Sequence, residues 1–207
     1  MARSAFRFVD LFAGIGGFHA AMSAFGGECV YAVENDVKAA SVYKANWGID
    51  PLGDITDDAN DDVMNVPSHD VLCAGFPCQP FSVAGKQDPN DNRQLWPEMF
   101  RIIKEIHPTY VIGENVRNLI SIREGVVFEQ VCTDLENEGY EVQPFIISAS
   151  AVNAPHQRYR VWIVANTQCD GLTSTKERGS IEETIRQESQ GQNRTLNTQG
   201  ASNLSET

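Results

Sequence analysis

The segment FRFVDLFAGIGG, residues 6–17, decides the fold class of this chain. Its first five residues, Phe6 to Asp10, include three apolar side chains and predict a strand. Three of its last four residues are glycine, and a helical pattern continues over residues 18–25. A strand, a glycine-rich turn and a helix in this order predict the start of an α/β unit, with a turn that a ligand can approach closely.

The same alternation of short apolar runs and helix-like segments continues to residue 166. Further strands are predicted at 28–33, 70–74, 109–112, 143–150 and 159–165, and further helices at 37–47, 95–106 and 126–138. Because strands separated by helices usually form parallel sheets, we expect a doubly wound, mostly parallel sheet with helices on both faces. The connection between the last two strands is too short for a crossover helix, which predicts an antiparallel final strand.

The composition is typical of a globular protein that stays in a reducing compartment. The 207 residues are 42% hydrophobic, and no apolar run approaches the roughly 18 residues of a membrane helix. Asp10 interrupts the apolar start of the chain, so we expect no export signal. The five cysteines are scattered and lack Cys-x-x-Cys spacing, which argues against disulfides and against a zinc site. We therefore expect a cytoplasmic protein without a membrane segment and without a metal.

The charge is strongly acidic, with a formal net value of −12. Such a balance counts against a protein that grips nucleic acid through a basic surface. Six aspartates fall within residues 50–62, a run that is typical of a solvated loop. From residue 167 onward the chain has no aromatic residue and few apolar ones. We therefore expect one domain over residues 1–166 and a disordered polar tail over 167–207, because such a tail cannot offset its ordering entropy.

One cysteine lies in a segment that suits chemistry. The stretch GFPCQPFS, residues 75–82, directly follows the predicted strand 70–74 and places Cys78 between two prolines that restrict the backbone. Ligands of open α/β sheets bind at the carboxyl ends of the strands. Cys78 is therefore a candidate nucleophile, and a buried structural cysteine is the alternative.

An acidic residue accompanies the glycine-rich turn. Glu34 ends the second predicted strand twenty residues after Gly14, where a carboxylate can accept hydrogen bonds from ribose hydroxyls. The glycine spacing is not the dinucleotide fingerprint, and no Gly-Lys-Ser/Thr follows, which disfavours NAD and ATP. A nucleoside-bearing cofactor and a purely structural turn both remain open.

Two further sites offer charged side chains. Glu114 follows the fourth predicted strand at the carboxyl edge, where it would suit acid–base chemistry beside a thiolate, or serve as an ordinary loop carboxylate. Arg158 and Arg160 open the last predicted strand, and residues two apart in a strand point to the same face. They could together bind a phosphate or a base carbonyl, or form an exposed edge-strand pair.

Taken in order, these motifs resemble the C5-cytosine DNA methyltransferase family over residues 6–166. The matching elements are Asp-x-Phe-x-Gly-x-Gly-Gly, Glu34, Gly53-Asp54-Ile55, the Cys78 stretch, Glu-Asn-Val and Arg-x-Arg. The resemblance implies a Rossmann-like sheet, S-adenosylmethionine as the cofactor, double-stranded DNA as the substrate and, in many cases, a role in restriction-modification.

The resemblance also implies a role for each matched residue. Cys78 matches the thiolate that attacks C6 of a cytosine flipped out of the duplex, and Glu114 matches the residue that holds or protonates N3. Arg158 and Arg160 match the pair around the target base. The implied cofactor positions are Asp10, Phe12, Gly14, Gly16, Gly17, Glu34, Asn35, Asp54, Ile55, Pro77 and Leu95. Asn35 stands where many relatives carry an aromatic residue, so we expect one side of the adenine pocket to be looser.

The resemblance implies two segments that residues 167–207 do not match. These are a target-recognition domain and a returning Asn-Gly-type segment that completes the cofactor pocket. Our first hypothesis is therefore the catalytic part of a DNA cytosine-5 methyltransferase, with recognition supplied by a second chain or lost by truncation. The second is a non-catalytic remnant or a cofactor- or DNA-binding subunit of a split methyltransferase. An RNA cytosine methylase using the same chemistry is a third.

Overall fold

The computed structural model describes residues 4–56, 66–77 and 95–167. Cys78, with the rest of its stretch to Ser82, lies outside the described residues, and so do residues 168–207. The division into a domain over 1–166 and a polar tail over 167–207 therefore stays a prediction. Within the described part, no helix combines the length and the apolar character that crossing a membrane requires.

Strands and helices alternate along the described chain as the sequence predicts. The strands are β1 (Phe6–Leu11), β2 (Gly27–Val33), β3 (Val71–Ala74), β4 (Tyr110–Val116), β5 (Glu141–Ile147) and β6 (Arg160–Asn166). The helices are α1 (Gly17–Ala24), α2 (Val37–Trp47), α3 (Trp96–Ile106) and α4 (Val126–Asn137). Short 3-10 helices at Arg117–Ile120, Ile122–Gly125 and Ala149–Val152 were not predicted. β4 continues four residues beyond its predicted end.

The strands form one sheet in the order β2-β1-β3-β4-β6-β5. β1 pairs in parallel with β2 and β3, and β3 with β4, whereas β6 is antiparallel to both β4 and β5. The predicted mostly parallel sheet with an antiparallel final strand is therefore confirmed. From β1 the chain continues outward to β2 on one side and returns to β3 on the other. The carboxyl ends of β1 and β3 thus form a topological switch point, where open α/β sheets bind ligands.

Helices cover both faces of the sheet, as predicted. Alternate strand residues point to opposite faces, so Phe8 of β1 packs near Phe18 and Met22 of α1, while its neighbour Val9 belongs to a different cluster. That larger cluster joins Val9 to the buried apolar residues of α3 and α4, among them Ile103 and Leu135. The result is a three-layer α/β/α arrangement. The helices cover the faces of the sheet, so the loops at its carboxyl edge are where a ligand can bind.

Local signals explain where the second helix begins and ends. Asp36 caps α2, because its Oδ1 accepts the backbone N–H of Ala39 at 2.8 Å. Gly48 ends the same helix in the left-handed region, with φ of 74°. These caps set the length of α2, and its last residue, Trp47, reaches the glycine-rich turn.

Candidate active site

An open pocket with a cavity volume of about 190 Å³ lies at the carboxyl ends of β1, β2 and β3. Six of the residues implied as cofactor positions line it, namely Phe12, Glu34, Asn35, Ile55, Pro77 and Leu95. Three further lining residues, Val33, Gly53 and Gly75, were missed as site residues, although Val33 precedes Glu34 and the two glycines each begin a motif that the sequence singled out. Its mostly apolar walls with a few polar groups are usual for a small-molecule site. Binding of a cofactor by these residues stays a prediction.

The turn after β1 has a strained backbone at the mouth of this pocket. Phe12 lies in the left-handed region with φ of 54°, which is uncommon for a bulky residue and concentrates at ligand sites. Gly14 and Gly16 follow with φ of 55° and 96°. The backbone N–H of Ala13 donates to the carbonyl of Val33 at 3.0 Å, which ties the turn to β2. Gly14 and Gly16 thus shape the turn, Gly17 begins α1, and none of the three lines the pocket.

The carboxylate of Glu34 is held in a fixed orientation. Its Oε2 accepts the backbone N–H of Gly14 and its Oε1 accepts that of Asp36, both at 2.8 Å. Each carboxylate oxygen has a second lone pair, so the group retains acceptor capacity toward the pocket. The backbone of Glu34 also pairs with Pro51 and Gly53, which brings the segment up to Ile55 against the end of β2.

Asp54 does not reach the pocket. Asp54 is exposed, and its Oδ1 accepts both the backbone N–H and the hydroxyl of Thr56. The structure brings its neighbours Gly53 and Ile55 to the pocket instead.

Asp10 is also set apart from the pocket, because it is fully buried. Neither of its carboxylate oxygens has a hydrogen-bond partner among the described residues. Burial raises the pKa of Asp10 to about 8; the nearby backbone N–H of His19 lowers it, and the charge of Glu34 raises it further. At neutral pH this carboxyl therefore holds its proton for most of the time.

Glu114 and Arg160 form an ion pair beside the pocket. Nε of Arg160 lies 2.7 Å from Oε1 of Glu114, and the side chains are 19% and 26% exposed, respectively. A Cβ added to Gly75 would lie 3.8 Å from Oε2 of Glu114. Since Gly75 lines the pocket, the carboxylate and the pocket share one wall, and the side chain of Glu114 remains partly exposed.

The placement of these charged residues corrects two expectations. Glu114 lies inside β4 rather than after it, because β6 continues to pair with β4 beyond Gly113, where β3 ends. Arg158 lies outside β6, is exposed and has φ of 34°. The alternation of a strand therefore does not relate Arg158 to Arg160, and the structure brings only Arg160 to Glu114.

Asn115 fixes the loop that precedes Cys78. Its buried Nδ2 donates to the carbonyl of Phe76 at 2.9 Å, and its Oδ1 accepts the backbone N–H of Val116. The ring of Phe76 is buried near Gly113, where a Cβ would come within 3.4 Å of it. Asn115 was missed as a site residue, although the Glu-Asn-Val motif contains it.

The fold is that of the Rossmann-like methyltransferases. The structure superposes on a crystal structure of the S. pombe Dnmt2 methyltransferase with a TM-score of 0.68, covering 81% of this chain and 52% of that chain. The sequence identity is 24%, so this likeness establishes the fold alone.

The profile of the C-5 cytosine-specific DNA methylase family matches residues 6–205, and the chain belongs to this family. It is 46% identical over 177 residues to the type II methyltransferase M.AluI of Cellulosimicrobium cellulans, covering 79% of this chain and 34% of the relative. It is 40% identical over 160 residues to M.HhaI of Haemophilus parahaemolyticus, covering 76% and 48%. The chain thus spans about a third to a half of the length of these relatives, and the family predicted from the motifs is confirmed.

Proposed function

We propose that this chain is the catalytic part of a DNA (cytosine-5-)-methyltransferase that acts on cytosine in double-stranded DNA. The observation that carries the proposal is the shared wall at Gly75, which joins the pocket to the Glu114–Arg160 pair. A methyl donor and a base that must be polarised need two adjacent sites of this kind. Membership of the methylase family supports the same reaction class.

The pocket residues fit S-adenosylmethionine as the cofactor. Phe12, Ile55 and Leu95 offer aromatic and apolar surface to an adenine ring. Glu34, with its carboxylate already oriented by two backbone N–H groups, offers acceptors to the ribose hydroxyls. When bound, S-adenosylmethionine supplies an activated methyl group that an electron-rich carbon accepts.

The protein residues make the cytosine reactive. Cys78 is proposed as the nucleophile because it matches the family motif, and Pro77, the residue before it in the chain, lines the pocket. Addition of its thiolate to C6 turns C5 from an aromatic carbon into a nucleophilic one, and after methylation the loss of the C5 proton expels the thiolate and restores the aromatic ring. Glu114 donates a proton to N3 of the ring as electron density moves there, while Arg160 fixes the position of the carboxyl group. Arg158 is proposed to contact the surroundings of the base.

The acidic charge of the chain supports a model in which a separate recognition segment makes most of the contacts with DNA. A net charge of −12 is unsuited to gripping a polyanion, so the principal phosphate contacts are assigned to a recognition segment, in a second chain or elsewhere in a longer protein. The target base has to leave the helical stack to reach Glu114. We place the reaction in the cytoplasm, where reducing conditions keep Cys78 as a thiol.

Methyl transfer tests this proposal. Duplex DNA is incubated with S-adenosylmethionine labelled in the methyl group and with the chain, alone and with its recognition segment. Label in 5-methylcytosine that disappears in Cys78→Ser is the expected result. A covalent complex with DNA containing 5-fluorocytosine excludes the non-catalytic alternative, since trapping requires attack at C6. Absence of both label and trapped complex, with recognition supplied, would overturn the proposal.

A further inference from the structure

The indole of Trp47 lies directly over the glycine-rich turn. Its Nε1–H donates to the carbonyl of Ile15 at 3.4 Å. A Cβ added to Gly16 would lie 2.8 Å from Cδ1 of Trp47 and still closer to Nε1. The ring therefore occupies the space that any side chain at position 16 would need, and it contacts the turn where Gly16 has φ of 96°.

Trp47 is in turn held by His19 from the first helix. The two rings stack with their centroids 4.2 Å apart and their planes 15° from parallel. Nδ1 of His19 shares a hydrogen bond of 2.7 Å with the hydroxyl of Tyr43, and Tyr43 is fully buried. Because Tyr43 and Trp47 are one turn apart in α2, both reach His19 from the same side of that helix. The turn is thus clamped between two helices.

The clamped turn carries two features of the pocket. Phe12 lines the pocket, and the backbone N–H of Gly14 donates to Glu34. Neither Trp47 nor His19 is among the lining residues. An indole packed on Gly16 restricts the backbone of a turn rich in glycine, the residue with the most freedom to lose. Because the turn is already ordered before a ligand binds, the free energy of binding does not include the entropy cost of ordering it.

We propose that Trp47, supported by His19, is a positioning residue that holds the glycine-rich turn in its ligand-binding conformation and so raises the affinity for the nucleoside cofactor. The proposal rests on the proposed function, because it takes the ligand to be S-adenosylmethionine. A role in packing alone would lower the stability of the fold and leave the affinity of the folded protein unchanged.

Calorimetric titration with S-adenosylmethionine tests the proposal on folded protein. Trp47→Leu removes the stacking and the indole donor, and Trp47→Phe keeps an aromatic ring for His19. Ile103→Val, at a buried position of α3 on the other face of the sheet, serves as the stability control. Trp47→Leu should weaken binding about tenfold, the equivalent of ordering roughly one residue at the binding step. Trp47→Phe should recover most of that loss, and Ile103→Val should bind as the parent chain does.

Hydrogen exchange of the backbone amides of residues 13–19, measured without ligand, tests whether Trp47 holds the turn, whichever cofactor the pocket binds. Trp47→Leu should exchange several-fold faster in this segment, whereas Ile103→Val should not. If the parent chain fails to bind S-adenosylmethionine even with its recognition segment supplied, the proposed function falls, and the exchange data still test the clamp. Parental affinity in Trp47→Leu, or exchange in the turn no faster than in Ile103→Val, would overturn the positioning role.

Discussion

Nε of Arg160 donates to Oε1 of Glu114 at 2.7 Å, although the two residues are not directly opposite each other in β4 and β6. Glu114 faces Trp162 and Arg160 faces Val116, so the ion pair crosses the strands diagonally. The arginine, the first residue of β6, therefore contacts only Oε1 of the carboxylate. The other oxygen, Oε2, lies on the side of Gly75 and the pocket. The diagonal contact orients one carboxylate oxygen and leaves the other for the substrate.

This arrangement predicts non-additive losses of activity. Glu114→Gln should slow methyl transfer by about 10²- to 10⁴-fold, because an amide cannot deliver a proton to N3 as the ring is attacked. Arg160→Leu should have a smaller effect, and the double variant should be no slower than Glu114→Gln, since Arg160 acts through that carboxylate. Single-turnover transfer rates test this. Fully additive losses would show that Arg160 contributes independently of Glu114.

The hydrogen bond from Asn115 to Phe76 predicts a loss of stability. Asn115→Ala leaves the buried carbonyl of Phe76 without a partner, which costs about 1–3 kcal/mol. Urea denaturation measures the change, with the exposed Asn118→Ala as the control, expected within about 0.5 kcal/mol of the parent chain. Equal effects of the two variants would argue that Asn115 does not secure the loop before Cys78.

The buried Asp10 predicts an unusual dependence of stability on pH. Its pKa in the folded protein, about 8, lies above the ordinary 3.8, so the folded state binds more protons between these values. The stability due to Asp10 is therefore complete below about pH 4 and is lost as the pH rises to about 8. Asp10→Asn removes this dependence.

Thermal unfolding of the parent chain and Asp10→Asn from pH 5 to pH 9 tests the prediction. The melting temperature of the variant minus that of the parent should grow as the pH rises and level off above about pH 8. Other titrating groups are common to both proteins and cancel in the difference. A difference that stays constant over this range contradicts a raised pKa for Asp10.

The fixed carboxylate of Glu34 predicts a loss of cofactor affinity. Glu34→Gln replaces one oxygen by an amide that meets the N–H of Gly14 or Asp36, and it removes the charge from the remaining acceptor. Binding of S-adenosylmethionine should weaken by about 10- to 100-fold, the range for one charged hydrogen bond.

A second acid makes the test of Glu34 specific. Asp50→Asn removes an exposed carboxylate that pairs with Lys44, outside the pocket, and should bind with unchanged affinity. Calorimetry compares the two variants. An equal loss in both would point to the overall charge of the chain as the cause, and not to a contact at Glu34.

Much of the fold followed from local patterns. α2 has its predicted bounds because Asp36 and Gly48 cap it within the sequence, and the short connection before β6 correctly predicted an antiparallel strand. The place of β6 between β4 and β5 was not predictable in this way. It depends on hydrogen bonds between segments far apart in the chain, and those bonds also extend β4 past Gly113 and draw Glu114 into a strand.

The sequence by itself determined the alternation of strands and helices, the family and the residues whose chemistry matters, because apolar periodicity, caps and motifs are written in neighbouring residues. Only the tertiary structure decided that Val33, Gly53 and Gly75 line the pocket, that Asp10 and Asp54 do not, and that Trp47 lies on Gly16. These contacts depend on backbone surfaces and on burial, which arise only when distant segments pack together. A pattern of neighbouring residues in the sequence therefore does not predict them.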